Sequence, residues 1–210
     1  MSLERKILIV NGSPRKKGNS DFLQERLEQA FEGRGVSFEA VYLRDLSYSS
    51  CIGCERCRKD EACTGLKDDL TDLYSQILSC QGLVLISPAH NYNVTAWMKA
   101  FIDRMYCFYH FENDRPRSWT SRLAGEERKA LVVGICEQIH KEDMGFTIGA
   151  MERPLEALGY DIVETIPVYG VFDRGAVKDD KGVLDEIGRA GDKLARTLKS
   201  SNNGEREIFF

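Results

Sequence analysis

Five short apolar runs recur along the chain, with helix-period segments between them. The runs are Ile7–Val10, Ser37–Tyr42, Leu83–Ser87, Leu131–Ile135 and Ile162–Tyr169. Most are continuously apolar and β-branched, which is how strands buried on both faces read. Phe22, Leu23, Leu27, Ala30 and Phe31 form a first helical stripe, ended by Gly33 and Gly35. Leu66, Leu70, Leu73, Tyr74, Ile77 and Leu78 form a second, with Asp68 and Asp69 in its first turn, where the helix dipole favours carboxylates. Val94, Trp97, Met98, Phe101, Ile102 and Met105 keep the helical period in a third. A fourth segment, Met144 to Leu158, contains Pro154 and is predicted to kink or to start late. Val183, Leu184, Ile187, Leu194, Ala195 and Leu198 make the fifth. Strand–helix alternation of this kind predicts an α/β fold with a doubly wound, five-stranded parallel sheet in the order 2-1-3-4-5. Its ligand crevice belongs at the carboxyl ends of strands 1 and 3, so the segments after strands 1, 3 and 4 become candidate binding loops.

Composition narrows the class. With 210 residues, 42% hydrophobic and 30% charged, the chain reads as one globular domain over residues 1–200 and a tail at 201–210. Ser200 to Gly204 has linker-like composition, and Ile208-Phe209-Phe210 is a candidate docking segment. A net charge of −4 offers no electrostatic reason to bind nucleic acid. No segment approaches the ~18 consecutive apolar residues of a membrane span. The apolar run after Lys6 is too brief for a signal peptide, so the reading is cytoplasmic, where thiols stay reduced.

That setting gives meaning to the cysteines. Four of the seven fall inside residues 51–63, as Cys51, Cys54, Cys57 and Cys63. The spacing Cys-x2-Cys-x2-Cys-x5-Cys lets one short loop wrap a compact centre, and it most closely matches a [4Fe–4S] ligand set. Zinc usually takes two separated Cys-x2-Cys pairs, so it stands as the rival, with vacant thiols as a third reading. Cys80 and Cys107 fall in segments read as helical and as core.

The loop after the first strand, Asn11-Gly12-Ser13-Pro14-Arg15-Lys16-Lys17-Gly18-Asn19-Ser20, is neither a dinucleotide fingerprint nor a triphosphate loop. It offers a helix N-terminus, the side chains of Ser13, Asn19 and Ser20, and three cations, chemistry suited to a terminal phosphate monoester. The plainer alternative makes Asn19 or Ser20 only an N-cap and leaves the cations solvated. Gly134-Ile135-Cys136-Glu137-Gln138 follows the fourth strand; Cys136 there is either a redox thiol or a small core residue. Lys99 and Asp103 are an ordinary i, i+4 pair. The 20-residue stretch Phe108 to Glu127 reads as a lid or an interface arm. With only His90, His110 and His140, hydrolytic zinc chemistry has little support.

The Asn11–Ser20 motif, the four-cysteine loop followed by Lys67-Asp68-Asp69-Leu70, and Ser87-Pro88 with Met98-Lys99-Ala100-Phe101-Ile102-Asp103-Arg104 together resemble the flavodoxin-like NAD(P)H-dependent FMN reductases, and within them the iron–sulfur flavoproteins. The resemblance runs over about residues 5 to 200. It implies FMN in the crevice, with its phosphate on Ser13, Arg15, Asn19 and Ser20. By analogy Cys136 and Glu137 approach the far edge of the flavin ring. In Pro88-Ala89-His90-Asn91-Tyr92-Asn93, after the third strand, backbone amides and the amides of Asn91 and Asn93 suit the polar edge and ribityl chain of a flavin and Tyr92 suits its ring, with turn formation and helix capping as the alternative for the two asparagines. His90, where the family often has an aromatic, is read as a stacking or proton-transfer residue, with a surface histidine of no chemical role as the alternative. The implied activity is an FMN-dependent NAD(P)H oxidoreductase that reduces a flavin, quinone or related small-molecule acceptor, in a homodimer or homotetramer. The alternative is an electron carrier fed by a ferredoxin-like partner, without nicotinamide reductase activity.

Overall fold

The computed structural model describes residues 4–198; the expected tail at 201–210 lies outside them. In chain order the strands are β1 (Glu4–Asn11), β2 (Ser37–Tyr42), β3 (Cys80–Pro88), β4 (Tyr109–Phe111), β5 (Trp119–Ser121), β6 (Lys129–Ile135) and β7 (Asp161–Val168). The helices are α1 (Asn19–Gly33), α2 (Cys57–Asp60), α3 (Asp69–Ser79), α4 (Ala96–Arg104), α5 (Thr147–Ala157) and α6 (Lys181–Thr197). Five strands form a parallel sheet in the order β2-β1-β3-β6-β7, which is the expected 2-1-3-4-5 once the two short strands are set aside.

Alternation of side chains across the sheet, with a helical layer on each face, explains why the central strands are continuously apolar over Ile7–Val10, Leu83–Ile86 and Ala130–Val133. Leu8, Val10, Leu83, Leu85, Ala130 and Val132 point to one face and pack with Leu70, Ile77, Met98, Phe101, Met151 and Leu155 of α3, α4 and α5. Their neighbours Ile7, Ile9, Val84, Ile86, Leu131 and Val133 point to the other face, against Leu23, Leu27, Phe31, Ile187 and Leu194 of α1 and α6. The chain therefore leaves β1 toward one layer and β3 toward the opposite one. The gap between those two departures is the crevice.

Several elements differ from the sequence expectation. Cys80 opens β3 rather than ending a helix, because the strand begins ahead of the apolar run, at Cys80-Gln81-Gly82. α5 starts late, at Thr147, after a short 3-10 turn and Gly145 at φ +56, and it carries Pro154 inside it. The stretch 108–127 is not bare loop: β4 and β5 pair as an antiparallel hairpin, with Tyr109 opposite Ser121 and Phe111 opposite Trp119. No helix among the described residues is long and apolar enough to cross a membrane.

Arg128 closes the end of α3. It is 1% exposed and donates to the carbonyls of Ile77, Leu78 and Cys80 at 2.7, 2.6 and 2.7 Å, with Glu126 at 2.7 Å. Two of these carbonyls lie in the last turn of α3 and have no intrahelical donor. Arg128→Leu is expected to destabilise the fold by about 2–4 kcal/mol, because it strands buried carbonyls and removes charge-assisted hydrogen bonds. A urea midpoint that falls with an unchanged slope is the check.

Candidate functional site

Residues 12–18 are folded against α1 by two buried side chains. The Asn11 amide oxygen accepts the Ser13 N–H at 2.9 Å, while its NH2 donates to Gln24 at 2.9 Å and Asp21 at 3.3 Å. Asp21 accepts the Lys17 N–H at 2.7 Å and a two-pronged pair from Arg44 at 2.8 and 2.9 Å. Gly12 is required where β1 ends: a Cβ there would come within 2.9 Å of the Met98 Cβ and 3.2 Å of the Thr95 hydroxyl. Thr95 caps α4 and donates to the Gly12 carbonyl at 2.8 Å, so the loop and α4 are locked together.

The N-terminus of α1 has Gly18 at its cap position and no side-chain cap. Neither Asn19 nor Ser20 caps the helix. The Asn19 amide instead donates to the Asp173 carbonyl at 3.0 Å and accepts the Val177 N–H at 3.2 Å, tying α1 to the chain beyond β7. Ser13 and Ser20 are buried. An uncapped helix N-terminus flanked by hydroxyls is a ready anion site.

A cavity of about 130 Å³ opens over this end, and eight of the expected residues line it: Ser13, Arg15, Asn19, Ser20, Pro88, Ala89, His90 and Glu137. Ala89 is placed by its N–H bond to the Ile135 carbonyl at 2.7 Å. Asn91, Tyr92 and Asn93 form a tight turn beyond the cavity lining. His90 and Asn93 exchange backbone hydrogen bonds at 2.7 and 3.1 Å across it, Asn91 and Tyr92 take positive φ, and the Tyr92 ring stands exposed. Cys136 is buried behind the lining, with its N–H on the Val168 carbonyl at 2.8 Å. Lys16 points away to Asp45 at 2.9 Å.

The segment after β7 completes the cavity and was not among the candidates. Val171, Phe172 and Arg174 line it. Arg15 donates to the Phe172 carbonyl at 3.0 Å, and its guanidinium lies 4.5 Å from the centre of the Phe172 ring. The signal was available: a parallel sheet delivers every strand's carboxyl end to one edge, and Gly170 and Gly175, both at positive φ, mark a turn there.

The cysteine loop stands beside this edge, after β2. Cys51, Cys54, Cys57 and Cys63 line a second cavity of about 240 Å³, together with Ile52, Leu66, Arg104 and Tyr106. Cys51 and Cys54 are exposed, and Cys57 and Cys63 half-buried. Gly53, Glu55 and Glu61 take left-handed φ to turn the chain round the cavity. At Gly65 a Cβ would lie 2.3 Å from the Cys54 sulfur. Among the described residues, no three His, Cys, Asp or Glu side chains are grouped to hold a single metal ion. Burial pushes the Cys57 thiol up, and the negative charge of Cys63, Cys51 and Cys54 pushes it further.

The hairpin clasps this loop. Arg58 of α2 donates twice to the Tyr106 hydroxyl, at 3.1 and 2.7 Å, and lies over the Phe111 ring at 4.7 Å. His110 meets Glu61 at 3.3 Å. The stretch 108–127, expected as a lid or an interface arm, packs through Phe111 and His110 against Arg58 and Glu61 beside the cysteines. Cys107 lies in the core beneath it, where burial first, then the charges of Cys63 and Cys57, push its thiol up to about 12.

A doubly wound sheet with an anion-ready crevice at its switch point defines a flavodoxin-like protein, and comparison with known proteins agrees. The family model for NADPH-dependent FMN reductase matches residues 5–126, more than half the chain, and the chain belongs to that family. Within it the chain groups with iron–sulfur flavoproteins. One from Archaeoglobus fulgidus is 30% identical over 195 residues, covering 93% of this chain and 81% of its own. One from Methanocaldococcus jannaschii is 30% identical over 99 residues, 47% of this chain and about half (51%) of that protein. Among solved structures, an FMN-dependent NADH-azoreductase of Bacillus anthracis in complex with FMN superposes with a TM-score of 0.69 at 16% identity, covering 93% of this chain and all of that one. The protein is thus an FMN-dependent oxidoreductase.

Proposed function

We propose that the protein passes electrons from a reduced nicotinamide, through FMN, to a small acceptor such as a quinone or free flavin, and that its cysteine loop holds a [4Fe–4S] cluster. The observation that carries this reading is the meeting of the loops after β1, β3 and β6 at the uncapped end of α1. Bound FMN would supply the hydride and electron chemistry; the chain supplies binding and orientation. The open N–H groups of α1 with Ser13, Ser20 and Arg15 would hold the phosphate, and Pro88, Ala89 and His90 would border the rest. Phe172, held by Arg15, would cover one wall. Exposed Phe172 lines the crevice and exposed Tyr92 follows soon after its lining residue His90, which supports a homodimer or homotetramer with the site near a subunit contact.

The donor set also fits the cluster. Four soft thiol ligands on one loop line a cavity, and Gly65 leaves room for the Cys54 sulfur. Cys51, Cys54, Cys57 and Cys63 would be the ligands. Such chemistry suits the cytoplasm, where thiols stay reduced. Anaerobically purified protein is expected to be yellow-brown and to bleach on adding NADH or NADPH. A colourless protein that takes up no FMN would end this reading.

The cysteine cavity beside the crevice favours a second reading, an electron carrier fed by a ferredoxin-like protein. Bleaching by reduced ferredoxin, with no NAD(P)H oxidation above background, would select it.

A further inference from the structure

Arg104 ends α4, one residue after the exposed Lys99–Asp103 pair, and by sequence it looks like another surface cation. It is 2% exposed. One Nη donates to the Asp68 carboxylate at 2.8 Å and to the Ser49 carbonyl at 2.9 Å; the other donates to Asp68 at 3.1 Å; Nε donates to the Tyr74 hydroxyl at 3.0 Å. Ser49 lies two residues before Cys51, and Asp68 five after Cys63. A single guanidinium therefore ties both ends of the cysteine loop to one helix.

The two ends are also laced to each other. Asp68 accepts the Ser49 N–H at 3.1 Å and Asp69 accepts the Ser47 N–H at 2.6 Å. Asp68 with Thr71 forms the capping box that starts α3. Burial pushes the Asp68 carboxyl up, but the hydrogen bonds from Arg104 and Ser49 and the Arg104 charge outweigh it and hold it below the usual range. At its other end α4 is capped by Thr95, which is locked to Gly12 at the crevice. α4 is thus a strut between crevice and cysteine cavity.

Burying a guanidinium is costly, and a well-packed apolar residue would often serve stability as well. What such a residue would not supply is a rigid planar fork with a fixed positive charge. The Asp68 carboxylate is turned to Ser49 and the fork, and Arg104 itself is one of the residues that line the cavity of the four cysteines. Deprotonated together, those sulfurs repel one another across that cavity.

We propose that Arg104 is the positioning residue of the cysteine cavity: its fork clamps Ser49 and Asp68 to α4, holding the loop in a ligand-ready shape before any iron arrives. The proposal rests on the reading of the loop as an iron–sulfur ligand set.

The test compares the full-length wild type with Arg104→Met and Arg104→Lys. The first measurement is the rate at which a ferrous chelator strips iron from anaerobically reconstituted protein. The second is the alkylation rate of Cys57 and Cys63 in iron-free protein, read by mass spectrometry with buried Cys80 as an internal control. Arg104→Met is expected to weaken iron retention about 10–100-fold, as loss of an outer-shell partner does. It is also expected to speed alkylation of Cys57 and Cys63 by about tenfold through local opening, with Cys80 unchanged. Arg104→Lys keeps the charge without the fork; it should recover part of the iron retention but leave alkylation fast. Wild-type alkylation in Arg104→Met, or full rescue of both readouts by lysine, would overturn the proposal. If wild type takes up no iron, the iron–sulfur reading fails separately and the alkylation arm alone decides the role of Arg104. Should Cys80 become reactive, showing that Arg104→Met has unfolded, Asp68→Asn takes its place and is expected to move both readouts in the same direction.

Discussion

Cys54→Ser is expected to abolish iron binding if the loop holds the proposed cluster: anaerobic reconstitution should load about four iron per chain in wild type and none stably in the variant. The brown absorption should vanish with the iron, and FMN binding should survive, because the cysteine cavity and the crevice share no lining residue. Gly65→Val should lower iron loading with all four thiols still present. A Cβ at residue 65 falls 2.3 Å from the Cys54 sulfur, closer than real contacts allow, so either the sulfur or the loop must move away. The pair of variants separates donor chemistry from donor geometry. Full iron loading in Gly65→Val would show that the loop reshapes on binding and is not held ready. Wild-type protein that holds zinc stoichiometrically and no iron would replace the cluster with a structural metal.

Those two variants rest on different kinds of information, and so does the rest of the molecule. The cysteines were legible from spacing alone. So were the five strands: burial on both sheet faces leaves a continuous apolar run in the central three, and the edge strands β2 and β7 still read as strands although Glu39 and Glu164 interrupt them. Their order followed from alternation with helices, and the order located the crevice. Strand edges were less visible: Gln81 and Gly82 carry no apolar signal, although Gly82 is needed because a Cβ there would meet Ile7 at 2.8 Å. Buried arginines were not legible at all. Arg104 and Arg128 look like surface cations in any local window, and only tertiary packing brings Asp68, Ser49 and the carbonyl end of α3 to them. The 109–121 hairpin was hidden for a similar reason. Its three-residue strands are too short to show a period, and aromatic contacts such as Tyr109 with Trp119 at 5.1 Å are what hold them. Asn19 shows the opposite failure, where a good local rule met a stronger partner. Asparagine favours a helix cap, but here its amide is used across the fold by Asp173 and Val177.

Flavin affinity is where the second large effect should appear. Ser20→Ala removes a buried hydroxyl from the first turn of α1, where the helix dipole and open N–H groups would meet the FMN phosphate. Loss of one charge-assisted hydrogen bond of this kind costs about 1.5–3 kcal/mol, or roughly ten- to a hundredfold in Kd. Arg15→Ala should weaken FMN at least as much, for two reasons. Its charge faces the cavity, and its guanidinium holds the Phe172 carbonyl and ring in place along one wall. Phe172→Ala then supplies the control. If Arg15 acts partly by holding Phe172, the double variant should be less damaged than the sum of the two single losses, with a coupling of about 0.5 kcal/mol or more. Strict additivity would assign Arg15 to the phosphate alone. Unchanged FMN dissociation constants in both Ser20→Ala and Arg15→Ala, measured by flavin fluorescence quenching, would place the phosphate elsewhere.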